Sequence, residues 1–199
     1  MSEKYLNKHL PSIDTQQVSK VGGWIRRTKQ VVYDNPWIEV SHEEVTRPNG
    51  TEGIYGVVHF KGRAIGVVPV DEQGNTWLVK QSRYACDEFT YEIPEGGGSF
   101  DVPPVDAARR ELREETGLEA EHWEQIMTLR TSNSVTDEIA YVFLATGLTL
   151  GNQELEDTED IELIKLPLKE AITMVLDGDI IDAISVAALL RLAVDPRFK

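Results

Sequence analysis

Short apolar, β-branched runs separated by turn residues fill positions 24 to 81 of the chain. Trp24 to Val32 and Pro36 to Arg47 read as strands joined by Tyr33-Asp34-Asn35-Pro36. Pro48-Asn49-Gly50 is a strong hairpin turn. Gly53 to Phe60, Ala64 to Val70 and Thr76 to Gln81 continue the pattern, the last two parted by Asp71-Glu72-Gln73-Gly74-Asn75. The period becomes helical over about 105–116. Strands are expected near 123–130, 139–145 and 161–166, and helices near 168–177 and 181–193, divided by Asp177-Gly178-Asp179. Residues 1–20 are polar and without periodicity, which predicts a loose start. Strands mixed with helices on the sheet faces predict an α/β sandwich.

The expected helix at 105–116 carries the most informative chemistry. Arg110-Glu111-Leu112-Arg113-Glu114-Glu115-Thr116-Gly117-Leu118 places Glu111 and Glu115 at i and i+4, with Glu114 beside them. Like charges so placed repel one another. A divalent cation that prefers oxygen, Mg²⁺ or Mn²⁺, would relieve that repulsion. Arg–Glu runs also occur on plain solvated helix faces, so the preceding segment matters. Tyr91-Glu92-Ile93-Pro94-Glu95-Gly96-Gly97-Gly98 reads as a strand running into a glycine loop that lets backbone approach a ligand. Pro103 and Pro104 suit the first turn of the helix. The carboxylates would then rise beside the loop.

Charge and cysteine content narrow the function classes. The 199 residues hold 20 Lys and Arg against 34 Asp and Glu, a net charge of −14. That balance argues against a nucleic-acid polymer as partner. It leaves room for a small anion, because a metal supplies local positive charge. A single cysteine, Cys86, excludes an internal disulfide and fits a reducing, cytoplasmic setting. A buried or half-buried thiol is expected there. Met1 to Tyr5 lacks the apolar core of a signal peptide, and no apolar run is long enough for a membrane span. Ile180 to Val194 is the most apolar stretch; Asp182, Ser185 and Arg191 interrupt it, as in an amphipathic packing helix.

Gly96 to Leu118 resembles the Nudix box, G-x5-E-x7-R-E-U-x-E-E-x-G-U, where U is aliphatic. Gly96, Arg110, Glu111, Leu112, Glu114, Glu115, Gly117 and Leu118 match; Val102 stands at the first glutamate position, with Asp101 before it. The resemblance implies the Nudix fold, a mixed β-sheet sandwiched between helices. It also implies a pyrophosphohydrolase whose metal ligands are Glu111, Glu114, Glu115 and the main-chain carbonyl of Glu95. Arg110 would orient the carboxylates rather than touch substrate. Residues 1–52 look like the N-terminal β extension of the ADP-ribose and nucleoside diphosphate sugar pyrophosphatase branch, which serves dimerisation and base recognition. Residues 53–199 would form the hydrolase domain.

Four features bear on substrate. Leu78-Val79-Lys80-Gln81-Ser82-Arg83 resembles a strand of the same branch in which the arginine, here Arg83, holds a phosphate through a fork of hydrogen bonds. Trp24 and Trp37 lie in the extension, where an aromatic residue of the branch clamps the base; Trp24 precedes Arg26 and Arg27. Ser134 to Glu138 resembles a segment whose glutamate, Glu138, faces the metal site. Asp157 and Glu159, in an acidic run, match the place of the general base that activates water. Together these predict Mg²⁺-dependent hydrolysis of ADP-ribose or a related nucleoside diphosphate sugar by a homodimer. GDP-mannose or another nucleotide sugar is the nearest alternative substrate. A non-hydrolytic ADP-ribose-sensing module is the alternative of another class; it would carry a broken carboxylate cluster, and only Val102 points that way.

Overall fold

The computed structural model describes residues 18–151 and 161–198. Backbone contacts divide them into two compact units. The first holds the described residues up to Lys61 together with Ser132–Glu138, and the second holds the rest.

The first unit is a four-stranded antiparallel sheet in the order β1 (Ser19–Val21), β2 (Trp24–Asp34), β3 (Ile38–Thr46) and β4 (Glu52–Phe60). Asn35 forms the β2–β3 turn by accepting the main-chain N–H groups of Trp37 and Ile38 at 2.8 and 2.7 Å. Gly50 closes the β3–β4 hairpin at φ 84°, a conformation that suits glycine. Ser19–Val21, part of the stretch expected to be loose, pairs with β2. Residues 1–17 lie outside the described residues.

The second unit contains two sheets and three helices. One sheet has the order β8 (Glu95–Ser99), β5 (Gly62–Pro69), β10 (Ala140–Leu150) and β9 (Leu118–Leu129); β5 and β10 run parallel and the other pairs antiparallel. The other is antiparallel: β11 (Glu162–Pro167), β6 (Asn75–Arg83) and β7 (Glu88–Glu92). Side chains of β5 and β10 alternate between two apolar clusters, as the strand period requires. Ile65, Val67, Phe143 and Ala145 pack towards α1 (Pro104–Thr116), with its Ala107, Ala108 and Leu112. Val68, Val142 and Leu144 face α2 (Leu168–Asp177) and α3 (Ala183–Ala193), meeting Ala171, Ala188 and Leu189. The expected sandwich of mixed sheet and helices is therefore present, with an N-terminal sheet of its own.

Two expectations change. Gly96–Gly98 is not a loop: it is the middle of β8, paired with β5 in the register Gly66↔Glu95 to Gly62↔Ser99. None of the three glycines has a positive φ. Two of them are needed for space: a Cβ on Gly96 would overlap the Glu111 carboxylate, and one on Gly98 would lie 3.1 Å from Ala107 Cβ and 3.2 Å from Ile65 Cγ1, whereas one on Gly97 would meet nothing within 4 Å. Cys86 is exposed rather than buried, because it sits in the turn after β6 where Cys86 N–H and Asp87 N–H both reach back to Arg83 O at 3.0 Å.

Candidate active site

Helix α1 presents its acidic face to strand β8. Pro104 opens it at the first helical position, and Gly117 ends it in the left-handed conformation, donating to Arg113 O at 2.8 Å. Leu112, fully buried, fixes the rotation of the helix against β5. That rotation sends Glu111 and Glu115 inward, 5% and 2% exposed, whereas charged side chains are seldom buried without a partner. Glu115 Oε2 accepts the Glu95 main-chain N–H at 2.9 Å. Glu111 lies so close over Gly96 that a Cβ there would overlap its carboxylate. Glu95, Gly96, Glu111 and Glu115 thus meet at one place, and Glu114 joins them through Arg110. The Arg110 guanidinium donates to Glu114 Oε2 at 2.6 Å, to Gly97 O at 2.7 Å and to Glu111 Oε1. Arg110 is the internal counter-charge of the cluster, in the orienting role the sequence predicts. Burial works against its charge, but the two glutamates outweigh it and hold the guanidinium more firmly protonated than usual.

A second group adjoins Glu95. Arg83, the last residue of β6, donates from Nε to Glu92 Oε1 at 2.8 Å and from Nη2 to both Glu92 Oε2 and Glu95 Oε1, the latter at 2.9 Å. Glu92 also accepts from Gln81 Nε2 at 3.1 Å and from Thr90 Oγ1 at 2.5 Å. These bonds place the two carboxyls at opposite ends of their range. Burial raises Glu92, but the Arg83 and Thr90 hydrogen bonds overcome it and hold Glu92 low. Glu95 is pushed well up by burial, and the negative charges of Asp182 and Glu92 push it further against the pull of Arg83. Its Oε2 is buried without a hydrogen-bond partner.

The donor set suits a hard divalent cation: it consists of carboxylate oxygens, one of them orphaned, with backbone brought close by glycine. Among the described residues no three His, Cys, Asp or Glu side chains form a ready-made chelate; Arg110 bridges Glu111 and Glu114. Asp101 and Val102 are both exposed, in the turn between β8 and α1, where Asp101 N–H reaches Ser99 Oγ at 3.2 Å.

The remaining predicted residues fall in the first unit or outside the described residues. Trp24 lines a cavity of about 220 Å³ with Arg26, Glu43, Tyr55, Asn133 and Thr136. Its ring meets Tyr55 edge-on at 5.5 Å, and Tyr55 OH donates to Ser134 O at 2.5 Å. Trp37 does not line this cavity and is 73% exposed in the β2–β3 turn. Arg26 and Arg27 pair with Glu43 and Glu52. Glu138 is half-buried at the end of the 132–138 segment. Its neighbour Asp137 holds that segment to β4, accepting Phe60 N–H at 2.9 Å and bonding His59 Nδ1 at 2.7 Å; His59 Nε2 lies 3.2 Å from Ser41 Oγ. Burial raises the Asp137 carboxyl, but the bonds from His59 and Phe60 leave it below the usual range. Asp157 and Glu159 lie outside the described residues.

Sequence reading left Glu92, Ser41 and His59 without a role. The signal for Glu92 was the period-two pattern of β7, which buries Thr90 and Glu92 on one face.

Known proteins match this arrangement. The family model for the NUDIX domain matches residues 60–189, and that for the nucleoside diphosphate sugar hydrolase N-terminal domain matches residues 24–58. The chain is 37% identical over 153 residues to an ADP-ribose pyrophosphatase of Mycobacterium tuberculosis (strain ATCC 25618 / H37Rv), covering 74% of this chain and 72% of that one. It is 32% identical over 157 residues to an ADP-ribose pyrophosphatase of Bacillus subtilis (strain 168), covering 78% and 84%. A crystal structure of an ADP compounds hydrolase superposes with a TM-score of 0.76 over 94% of this chain and 95% of that one, at 19% identity; this last likeness concerns the fold. Members of the family generally work with a divalent metal. With both family models matched in order and the box carboxylates gathered at β8, the chain belongs to the Nudix hydrolases, in the branch of ADP-ribose and nucleoside diphosphate sugar pyrophosphatases.

Proposed function

We propose that the protein hydrolyses the pyrophosphate bond of ADP-ribose, or of a closely related nucleoside diphosphate sugar, in a Mg²⁺-dependent reaction. Water adds across the P–O–P bridge: one bridging P–O bond breaks, the water oxygen forms the new one, and a nucleoside monophosphate and a sugar phosphate leave. The observation that carries this reading is the convergence of Glu111 and Glu115 on Glu95 and Gly96. Glu111, Glu114, Glu115 and the Glu95 carbonyl would hold Mg²⁺, with Mn²⁺ as substitute, and the ion would supply neutralisation of the diphosphate. Arg110 keeps the carboxylates oriented and spaced. Arg83 binds a phosphate, and Trp24, with Trp37, binds the base. Glu138, Asp157 and Glu159 are the carboxylates proposed to manage the attacking water. The N-terminal β region serves base recognition and dimerisation, and the enzyme works in the cytoplasm. Among the described residues no helix is long and apolar enough to cross a membrane.

ADP-ribose is placed first because both pyrophosphatase relatives carry that substrate in their names. Other nucleotide sugars, GDP-mannose among them, come second on the description of the N-terminal family model. A purely sensing module is disfavoured by the intact carboxylates. A panel of dinucleotides and nucleotide sugars with Mg²⁺ tests the reading; absence of phosphomonoester products from every member would refute it. Glu115→Gln should fold and lose about a hundredfold or more in turnover, as expected when several kcal/mol of charge stabilisation are removed. Unchanged turnover in that variant would sink the ligand assignment.

A further inference from the structure

We propose that Glu92 is a positioning residue that splints the Arg83 guanidinium, leaving a single nitrogen, Nη1, for the substrate phosphate. This rests on the reading of Arg83 as a phosphate ligand. Nε and Nη2 are already committed, to Glu92 twice and to Glu95 once. Among the described residues Nη1 has no hydrogen-bond partner. Arg83 is 40% exposed and borders an open cavity it shares with Tyr84 and Asp182. A fork of two bonds to phosphate, the mode expected from the sequence, is therefore not on offer; the edge formed by Nε and Nη2 is spent on Glu92.

Glu92 is built for this task rather than for packing. It is 1% exposed and gathers donors from Arg83, Gln81 and Thr90. Burying a carboxylate is costly unless it is paired and its remaining lone pairs are satisfied. Here they are, and the partner that profits is a long side chain with many rotamers. Held by Glu92 on one edge and Glu95 on the other, Arg83 is ordered before substrate arrives, so binding costs less ordering entropy. Because Arg83 also bonds Glu95, whose N–H meets Glu115, the splint fixes Arg83 relative to the carboxylate cluster.

The test is a double-mutant cycle on Glu92→Gln and Arg83→Ala, read as KM and kcat on ADP-ribose and as the calorimetric Kd of inorganic pyrophosphate. Glu92→Gln should raise KM and Kd about tenfold with kcat within about twofold, the size of one charge-assisted contact. The same change made in Arg83→Ala should have no further effect on either constant, whereas an effect that simply adds would overturn the proposal. Millimolar guanidinium chloride should partly restore Arg83→Ala but not the double variant; equal rescue of both counts against the splint. Thr90→Val, which removes one donor and keeps the shape, guards against misfolding: it should show a smaller rise that also vanishes in the Arg83→Ala background. If no nucleotide substrate is turned over but pyrophosphate binding shows the coupling, the proposed reaction fails and the splint stands. If turnover is normal and the cycle is additive, the reverse holds.

Discussion

Gly96 shows how much one residue can decide at this site. Its missing side chain is the space in which the Glu111 carboxylate sits. Gly96→Ala should therefore lower stability by about 1–3 kcal/mol through overpacking. It should also reduce turnover by about a hundredfold, because it displaces Glu111, the carboxylate proposed to hold the metal, by roughly an ångström. A denaturant melt and a kcat measurement check both. The sequence named this glycine, Glu111, Glu114 and Glu115 from the box spacing, and the geometry joins them. It could not show that the space left by Gly96 and Gly98 is taken up by side chains of α1 and β5 rather than by a ligand. It also could not show that Arg83 spends its fork on Glu92, since nine residues separate them and only the pairing of β6 with β7 brings them together.

At the scale of elements, strands with clear apolar alternation and helices with start and stop signals were legible. Helix α2 spans Leu168–Asp177 as expected, and α3 begins two residues later than expected because Asp182 is its N-cap, accepting Ser185 N–H at 2.7 Å. β8 was not legible as a strand, because it is mostly glycine and lacks the β-branched signal, and β7 was legible only at its end, Tyr91-Glu92, ahead of the glycines. The turn between β5 and β6 was read correctly, and its chemistry gives a pH prediction. Asp71 accepts the N–H groups of Gln73 and Asn75 at 3.0 and 2.8 Å, and pairs with Lys165 at 2.9 Å. Burial raises its carboxyl, but the Asn75 and Lys165 bonds prevail and bring it from 3.8 down to about 2. A lowered folded value means the stabilisation is complete above the ordinary carboxyl range and is lost as pH falls through about 2. Asp71→Asn should thus be less stable than the parent at pH 7, with the gap closing towards pH 2, as followed by thermal melts at each pH.

At the scale of the whole molecule, charge and cation act together. The −14 chain gathers several carboxylates around β8, so an ion that binds only the folded form must stabilise it. At about a hundred times its Kd, Mg²⁺ should contribute about 2.7 kcal/mol, seen as a rise in melting temperature that EDTA reverses. Glu115→Gln should lose most of that rise. The N-terminal sheet exposes Val21, Ile25, Val31, Trp37 and Ile54. Exposed apolar surface on this scale favours association, most simply about a two-fold axis. Sedimentation equilibrium should then return about twice the 22.4 kDa chain mass, and a monomer at micromolar concentration would remove the dimer from the proposal. For the units, the sequence offers only the resemblance of residues 1–52 to an N-terminal β extension. That Ser132–Glu138 joins the first unit, through bonds such as His59–Asp137 that span 78 positions, has no local signal.

The strand made largely of glycine has one more implication, for how this gene can vary. Its pairing with β5 decides which backbone group stands under each carboxylate. A single codon gained or lost within 95–99 would turn every following position to the opposite side of the sheet and put the wrong amide beneath Glu111 and Glu115. The same change a few codons downstream, in the exposed stretch 100–103, would only lengthen or shorten a connection, at a cost of about 0.6 kcal/mol for each doubling of its length. Length variation in descendants of this chain should accordingly collect on the helix side of Ser99 and stop abruptly at the strand.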